Sequence, residues 1–197
     1  MKNAFKHLVV TIITLEAKYL LRRKRPKIIA VTGSVGKTTM KDAIYAVVKN
    51  HYSARKSEKS FNSEIGIPLT ILGLPNAWSS PLGWFKNIFD GAWIALFSGQ
   101  YPQLLVIEAG VDRPGDMKRL TEWMRPDIVV ITRLPDVPVH VEFFSSPEEV
   151  VKEKLLLAGA LQSDGVLIYN HDDTRLQEYV KDVRQQAVGY SRILPSQ

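Results

Sequence analysis

The run Ile28-Ile-Ala-Val31 is apolar and β-prone, and it stops at Thr32-Gly33. Four residues beyond Gly33, Lys37-Thr38-Thr39 opens a segment whose Ile44, Val47 and Val48 share one side of a helix. Strand, glycine-bearing loop and helix N-terminus, in that order, make a cradle for phosphate. Glycines let backbone N–H groups turn toward an anion, and the helix dipole adds partial positive charge at the same point. Gly33, Ser34, Val35 and Gly36 supply the loop, and Lys37, Thr38 and Thr39 follow it. Lys37 is placed to reach a β- or γ-phosphate, and the Thr38 hydroxyl to ligand Mg²⁺. The plain alternative is a Gly-Lys-Thr turn entering a helix. The usual Walker spacing has a further glycine five residues before Gly36, where this chain has Val31. The loop is therefore the shorter form Gly33-x-x-Gly36-Lys37-Thr38-Thr39.

Charge divides the chain unevenly. Residues 1–27 carry eight of the 26 Lys/Arg and one of the 20 acids, so the net charge of +6 belongs to the head and the body is nearly neutral. Nucleic-acid binding is not expected, because no basic patch interleaved with aromatics lies on the body. The chain has no cysteine, which excludes disulfides and thiolate chemistry and fits a reducing compartment. The apolar run Leu8–Leu15 is too short to span a bilayer, and no small-residue cleavage site follows it. Leu8, Ile12, Leu15, Tyr19 and Leu20 fall at helical spacing. They predict a helix from about Ala4 to Leu21, packed on the domain or lying on a membrane surface. Residues 1–26 are read as this basic helix and 27–197 as one domain.

The body alternates short apolar strands with helices. Helix 38–49, a strand near Tyr52–Ala54 and a short helix beginning near Pro68 in the run 65–72 are followed by Leu82–Phe97, where Phe85, Phe89, Trp93 and Phe97 recur every four residues. That stripe reads as core or partner-helix contact, with a membrane surface as the alternative. Strands are expected at Leu104–Glu108, Asp127–Thr132, Val166–Tyr169 and Ala187–Tyr190. Helices are expected at Asp116–Met124, from Pro147 to about Leu161 with Ser145 as cap, and at Asp173–Asp182. This is an α/β fold with a mostly parallel sheet and helices on both faces. Ligands in such sheets bind at the carboxyl ends of the strands, where Glu108, Thr132 and Asn170 stand with the phosphate loop.

Glu108 closes an apolar strand, a costly place for a carboxylate unless a cation such as Mg²⁺ meets it; a salt-bridged acid is the simpler reading. His140 in a proline-rich loop and Lys154 on a helix, with Lys152 nearby, would each be surface residues if met alone.

Together these segments resemble the Mur ligase family over about residues 27–190. The likeness rests on Thr32-Gly-Ser-Val-Gly-Lys-Thr-Thr39, Ser60-Phe-Asn-Ser-Glu-Ile-Gly-Ile-Pro-Leu-Thr70, Val106-Ile-Glu-Ala-Gly-Val-Asp-Arg-Pro-Gly-Asp116, His140, Val151-Lys-Glu-Lys154 and Val166-Leu-Ile-Tyr-Asn-His-Asp-Asp173. The short phosphate loop is that family's own form. The segment beginning at Asn62 resembles the branch that adds D-alanyl-D-alanine to UDP-N-acetylmuramoyl-tripeptide. The resemblance implies a P-loop NTPase-like central domain in the cytoplasm, or at the inner face of the membrane if the head helix touches it. It implies an ATP-dependent ligase that phosphorylates a carboxylate and lets an amine attack the acyl phosphate. Lys37 and the loop amides are then expected to hold the phosphates, Thr38 and Glu108 one Mg²⁺, and His140 a second. Lys154 matches a lysine carried as a carbamate, with Lys152 as rival, and Asn62 a polar residue near phosphates and acceptor. The loop Arg133–Glu142 is more proline-rich than the family's pattern. Neither the family's sugar-gripping amino-terminal domain nor its carboxy-terminal ligase domain is recognisable, so a partial central domain is expected. The competing readings are a ligase making another amide (a polyglutamate or cyanophycin-like polymer), a nucleotide-binding module without a complete site, and a membrane-surface scaffold.

Overall fold

The computed structural model describes residues 3–58, 61–134 and 143–192. Six strands form one parallel sheet: β1 (Lys27–Thr32), β2 (Ala54–Lys56), β3 (Leu104–Glu108), β4 (Ile128–Ile131), β5 (Val166–Asn170) and β6 (Gln186–Tyr190), in the order β2-β3-β1-β4-β5-β6. β1 is flanked by β3 on one side and β4 on the other, so the chain reverses its direction of travel around β1. Crevices open at such a point, at the carboxyl ends of the strands. The register brings Val31 opposite Glu108 and Thr32 opposite Ile131, which sets the loop after β1 between the ends of β3 and β4.

Alternation along the strands sorts the core into two layers. Ile29, Val31, Leu104 and Val130 meet Met40, Ile44 and Val48 of α2 (Lys37–Val48). Ile28, Ala30, Leu105, Ile107, Val129, Ile131 and Leu167 face the thicker layer. That layer is built by α1 (Asn3–Lys24), α3 (Gly66–Leu72), α4 (Pro81–Phe97), α5 (Asp116–Thr121), α6 (Pro147–Gly159) and α7 (Thr174–Val180).

The helix predicted over 4–21 runs from Asn3 through the basic cluster to Lys24, but its inward side differs from the expectation. Val9, Ile13, Ala17 and Leu20 are buried, whereas Leu8, Leu15 and Tyr19 are exposed. The segment is apolar on adjacent positions, so two stripes satisfy the helical period. The one with small and β-branched residues packs on the body. Arg25 takes a left-handed φ of 48° before Pro26 ends the helix. Two of the four basic residues at its end, the exposed Arg23 and the half-buried Lys24, bind backbone carbonyls of a neighbouring helix end. Arg23 Nη1 donates to Ala95 O (2.9 Å) and Leu96 O (2.6 Å), and Lys24 Nζ to Ser98 O (2.6 Å) and Gly99 O (2.8 Å). They satisfy carbonyls left over at the end of α4 and oppose its dipole.

α4 starts at Ser80, whose Oγ accepts from Gly83 N, with Pro81 in the first turn. The expected inward aromatic stripe faces outward. Trp84, Asn87, Gly91 and Ala95 are buried, and Phe85, Phe89, Trp93 and Phe97 are exposed. Close approach decides this: a Cβ on Gly91 would stand 2.1 Å from Glu16 Oε2, so α1 and α4 touch at a glycine. Other boundaries moved by a few residues. Ser146, not Ser145, caps α6, and α5 stops at Thr121 instead of Met124.

Glu16 Oε2 is shut off from water at that contact and has no hydrogen-bond partner. Desolvation pushes its pKa up to about 7. A carboxyl whose folded pKa exceeds its unfolded one destabilises the fold as pH rises between the two values, and the penalty is complete above about 7. Replacing Glu16 by Gln is expected to raise the denaturant midpoint at pH 8, by on the order of 1 kcal/mol once solvent screening of this half-buried group is allowed for. The gain should vanish near pH 4.5. Equal gains at both pH values would contradict the burial account.

Candidate functional site

The loop after β1 is held open by glycines and pinned by a threonine. Gly33 has φ 139°, and a Cβ there would lie 2.0 Å from Thr132 Oγ1. Gly36 precedes α2 with φ 83°. Both conformations favour glycine, and Gly33 is required by contact as well. Thr132 follows β4. Its N–H donates to Thr32 O at 2.9 Å, and its Oγ1 lies 2.7 Å from Val35 O and 3.2 Å from Thr32 O. Ser34 N donates to Arg133 O at 2.8 Å. The Val35 carbonyl is thereby held against Thr132, while Gly36, Lys37, Thr38 and Thr39 begin α2 at the crevice.

Next to this loop, Thr38 Oγ1 donates to Glu108 Oε2 at 2.9 Å. Glu108 is 5 % exposed. Its other oxygen accepts from Asn62 Nδ2 at 3.4 Å, and its N–H donates to Ser57 Oγ at 2.9 Å. Lys41 Nζ lies 3.6 Å from Glu108 Oε2 and equally far from Asp42 Oδ1. A hydroxyl and a carboxylate side by side are hard oxygen donors suited to Mg²⁺, which keeps waters and takes phosphate oxygens alongside one or two protein ligands. Among the described residues no group of three or more His, Asp or Glu could hold a metal alone. The donor set therefore fits an ion completed by a nucleotide.

Lys154 lies on the buried side of α6, 3 % exposed, with Nζ donating to Ser34 Oγ at 3.2 Å. Lys152 is exposed on the same helix. Burial and the Lys37 charge push the Lys154 pKa down to about 8, and Asp112 opposes this. Lys37 Nζ reaches back to Ser34 O at 3.4 Å. Ser34, Lys37, Asn62, Gly110, Val111, Asp112 and Lys154 line a cavity of about 30 Å³. Two lysines converge there with Asp112 as the one acid, an arrangement suited to a small anion. Asn62, Gly110 and Asp112 also border a larger cavity of about 290 Å³ that runs under α1 past Thr14 and Lys18 to Trp123.

The structure thus brings Ser34, Lys37, Thr38, Asn62, Glu108 and Lys154 to one crevice. His140 lies outside the described residues, as does Ser60 of the Asn62 segment. Lys41 and Ser57 escaped the sequence reading. Lys41 stands one turn after Thr38, a spacing that turns both toward the strand ends, and this could have flagged it. Ser57 carries no comparable signal.

The family model described as the Mur ligase middle domain matches residues 31–82 and 91–193. The UDP-N-acetylmuramoyl-tripeptide–D-alanyl-D-alanine ligase of Bacillus subtilis (strain 168) is 33% identical over 161 residues, which cover 82% of this chain and 30% of that protein. The ligase of the same name from Haemophilus influenzae is 28% identical over 180 residues, covering 88% and 33%. Among solved structures, the MurF ligase of Thermotoga maritima in complex with ADP superposes with a TM-score of 0.71 at 24% identity, over 94% of this chain and 37% of that one. The chain spans about a third of the length of these relatives.

Proposed function

Because the chain belongs to the Mur ligase family through its middle domain, we propose that it is the ATP-binding part of an ATP-dependent amide ligase. The reaction proposed joins D-alanyl-D-alanine to UDP-N-acetylmuramoyl-tripeptide in the cytoplasm. The supporting relatives carry that name. The observation that favours a ligase over a plain nucleotide-binding module is Lys154. Lys154 is a buried lysine that stands between the phosphate loop and a cavity bordered by Asn62, in addition to Lys37, which already serves the phosphates, and this supports a role toward a second substrate.

In this reading the loop amides and Lys37 hold the β- and γ-phosphates and offset the charge that spreads over the transferred group. Thr38 and Glu108 would hold Mg²⁺, which would supply neutralisation of phosphate charge. Lys41 balances the Glu108 carboxylate in the nucleotide-free protein. Asn62 borders both cavities and orients the acceptor carboxylate toward the γ-phosphate. The acceptor oxygen attacks phosphorus and ADP leaves. The amine nitrogen then attacks the acyl carbon, and inorganic phosphate departs carrying the former carboxylate oxygen. Lys154, as a carbamate formed from its neutral amine and CO₂, provides an anion at the acceptor end of the site. His140 is proposed as a ligand of a second Mg²⁺ there.

With the full-length protein, ADP release is expected only when ATP, UDP-N-acetylmuramoyl-tripeptide and D-alanyl-D-alanine are all present. Release that is indifferent to the dipeptide would sink the substrate assignment. Release that needs a different amine would point to another amide of the same chemistry.

A further inference from the structure

The outer sides of α1 and α4 form a surface that the nucleotide site does not use and that shares only Leu15 and Lys18 with the lining of the larger cavity. α1 and α4 lie side by side and run the same way. Phe5 meets Phe85 at 6.0 Å between ring centroids, Glu16 meets Gly91, and Arg23 reaches Ala95 O. Their outer sides are therefore neighbours. α1 presents Leu8, Leu15 and Tyr19 there, and α4 presents Phe85, Phe89, Trp93 and Phe97. Phe89 is 74 % exposed and Trp93 67 %. An apolar face of this kind is unusual on a surface that stays in water. No helix of the described residues is long and apolar enough to cross a membrane, so insertion across a bilayer is not what the face provides.

What borders the face identifies its occupant. Lys18, Arg22, Arg25 and Arg125 gather at the carboxyl end of α1 around a depression of about 490 Å³. Lys27 sits in it too, already paired with Asp127 at 2.7 Å. Arg22 and Arg25 are exposed, and the head as a whole carries eight Lys/Arg against Glu16 alone. The basic side chains outnumber the acids here, since Asp127 is paired with Lys27 and Asp90 with Lys86, and a net positive cluster next to aromatic rings that favour the water–hydrocarbon boundary matches a bilayer with anionic headgroups.

We propose that the α1–α4 face docks on an anionic membrane surface, with the aromatic stripe entering the headgroup region and the Lys18–Arg22–Arg25–Arg125 cluster meeting lipid phosphates. The inference rests on the surface alone and is independent of the ligase reading. Docking through two helices of the thick layer leaves the carboxyl ends of the strands open to soluble substrates.

The test is sedimentation of the full-length protein with vesicles, without nucleotide. One set contains phosphatidylglycerol and the other is phosphatidylcholine alone. The bound fraction is expected to be at least about tenfold greater on the anionic vesicles and to fall in high salt, as contacts between a polybasic cluster and anionic lipid do. The double variant Phe89→Glu/Trp93→Glu should lose this binding and keep its ATP affinity, since both side chains are exposed and far from the phosphate loop. Arg22→Glu/Arg25→Glu should weaken binding to phosphatidylglycerol vesicles and leave the weak phosphatidylcholine binding unchanged. Absence of binding to anionic vesicles overturns the proposal. So does a concentration-dependent dimer that the Phe89/Trp93 variant dissociates, because the face would then belong to a second copy.

Discussion

Replacing Lys154 by alanine in the full-length protein is expected to lower ligase turnover about a thousandfold, the scale of losing a preorganised charge at the reacting group, while ATP still binds. The physical reason begins with burial. A lysine with an ordinary pKa is a cation at neutral pH and does not react with CO₂. Desolvation first, and the Lys37 charge second, bring Lys154 down to about 8. The neutral amine is therefore a substantial fraction near pH 8 and falls about tenfold per pH unit below that. The carbamate carries negative charge, so the variants separate the two possible working forms. Lys154→Arg keeps a cation and should be as inactive as the alanine variant. Lys154→Glu keeps an anion and should recover part of the rate, as should acetate added to Lys154→Ala. Turnover of the unsubstituted protein should fall when bicarbonate is stripped from the assay, most steeply at low pH. An active arginine variant would show that the ammonium is the working form and would remove the carbamate from the scheme.

The second large effect is on stability. Glu108→Ala removes the carboxylate between Thr38 Oγ1 and Lys41 Nζ. Lys41 is 1 % exposed, and its remaining acidic neighbour is Asp42, at 3.6 Å and half in water. Leaving a buried ammonium so poorly matched costs about 3 kcal/mol, at the lower end for breaking a buried pair because Asp42 persists. For a domain of this size the melting temperature should fall by roughly 6–12 °C. The burden is the orphaned charge, so adding Lys41→Met to Glu108→Ala should restore most of the loss in a double-mutant cycle. If the double variant is no more stable than Glu108→Ala, Lys41 and Glu108 do not act as a pair.

The phosphate loop was legible because its chemistry is local. The strand, the two glycines at positive φ and the helix start follow one another within a dozen residues. Strand β3 was read to the residue because a fully buried parallel strand is a continuous apolar run. Those strand ends in turn identified Glu108. The rotation of α1 and α4 was not legible. Both helices are apolar over more than one side, and the choice between stripes depends on which surface admits a neighbour's backbone. Gly91 and Ala17 record that choice only once the partner helix is known. Lys41 was missed for a related reason. Its burial depends on β3 lying beside β1, a pairing between residues some eighty positions apart. Lys154 was separated from Lys152 by the packing of α6 alone, since two residues on a helix point to different sides.

The proposed ligase reaction requires a γ-phosphoryl group to pass to a carboxylate before the amide forms. It is tested most directly by labelling the terminal carboxylate of UDP-N-acetylmuramoyl-tripeptide with ¹⁸O and running the full-length protein with ATP and D-alanyl-D-alanine. An acyl phosphate route moves one labelled oxygen from each carboxylate into the inorganic phosphate released with ADP. Unlabelled phosphate alongside labelled amide product, or release of AMP and pyrophosphate, would contradict the account.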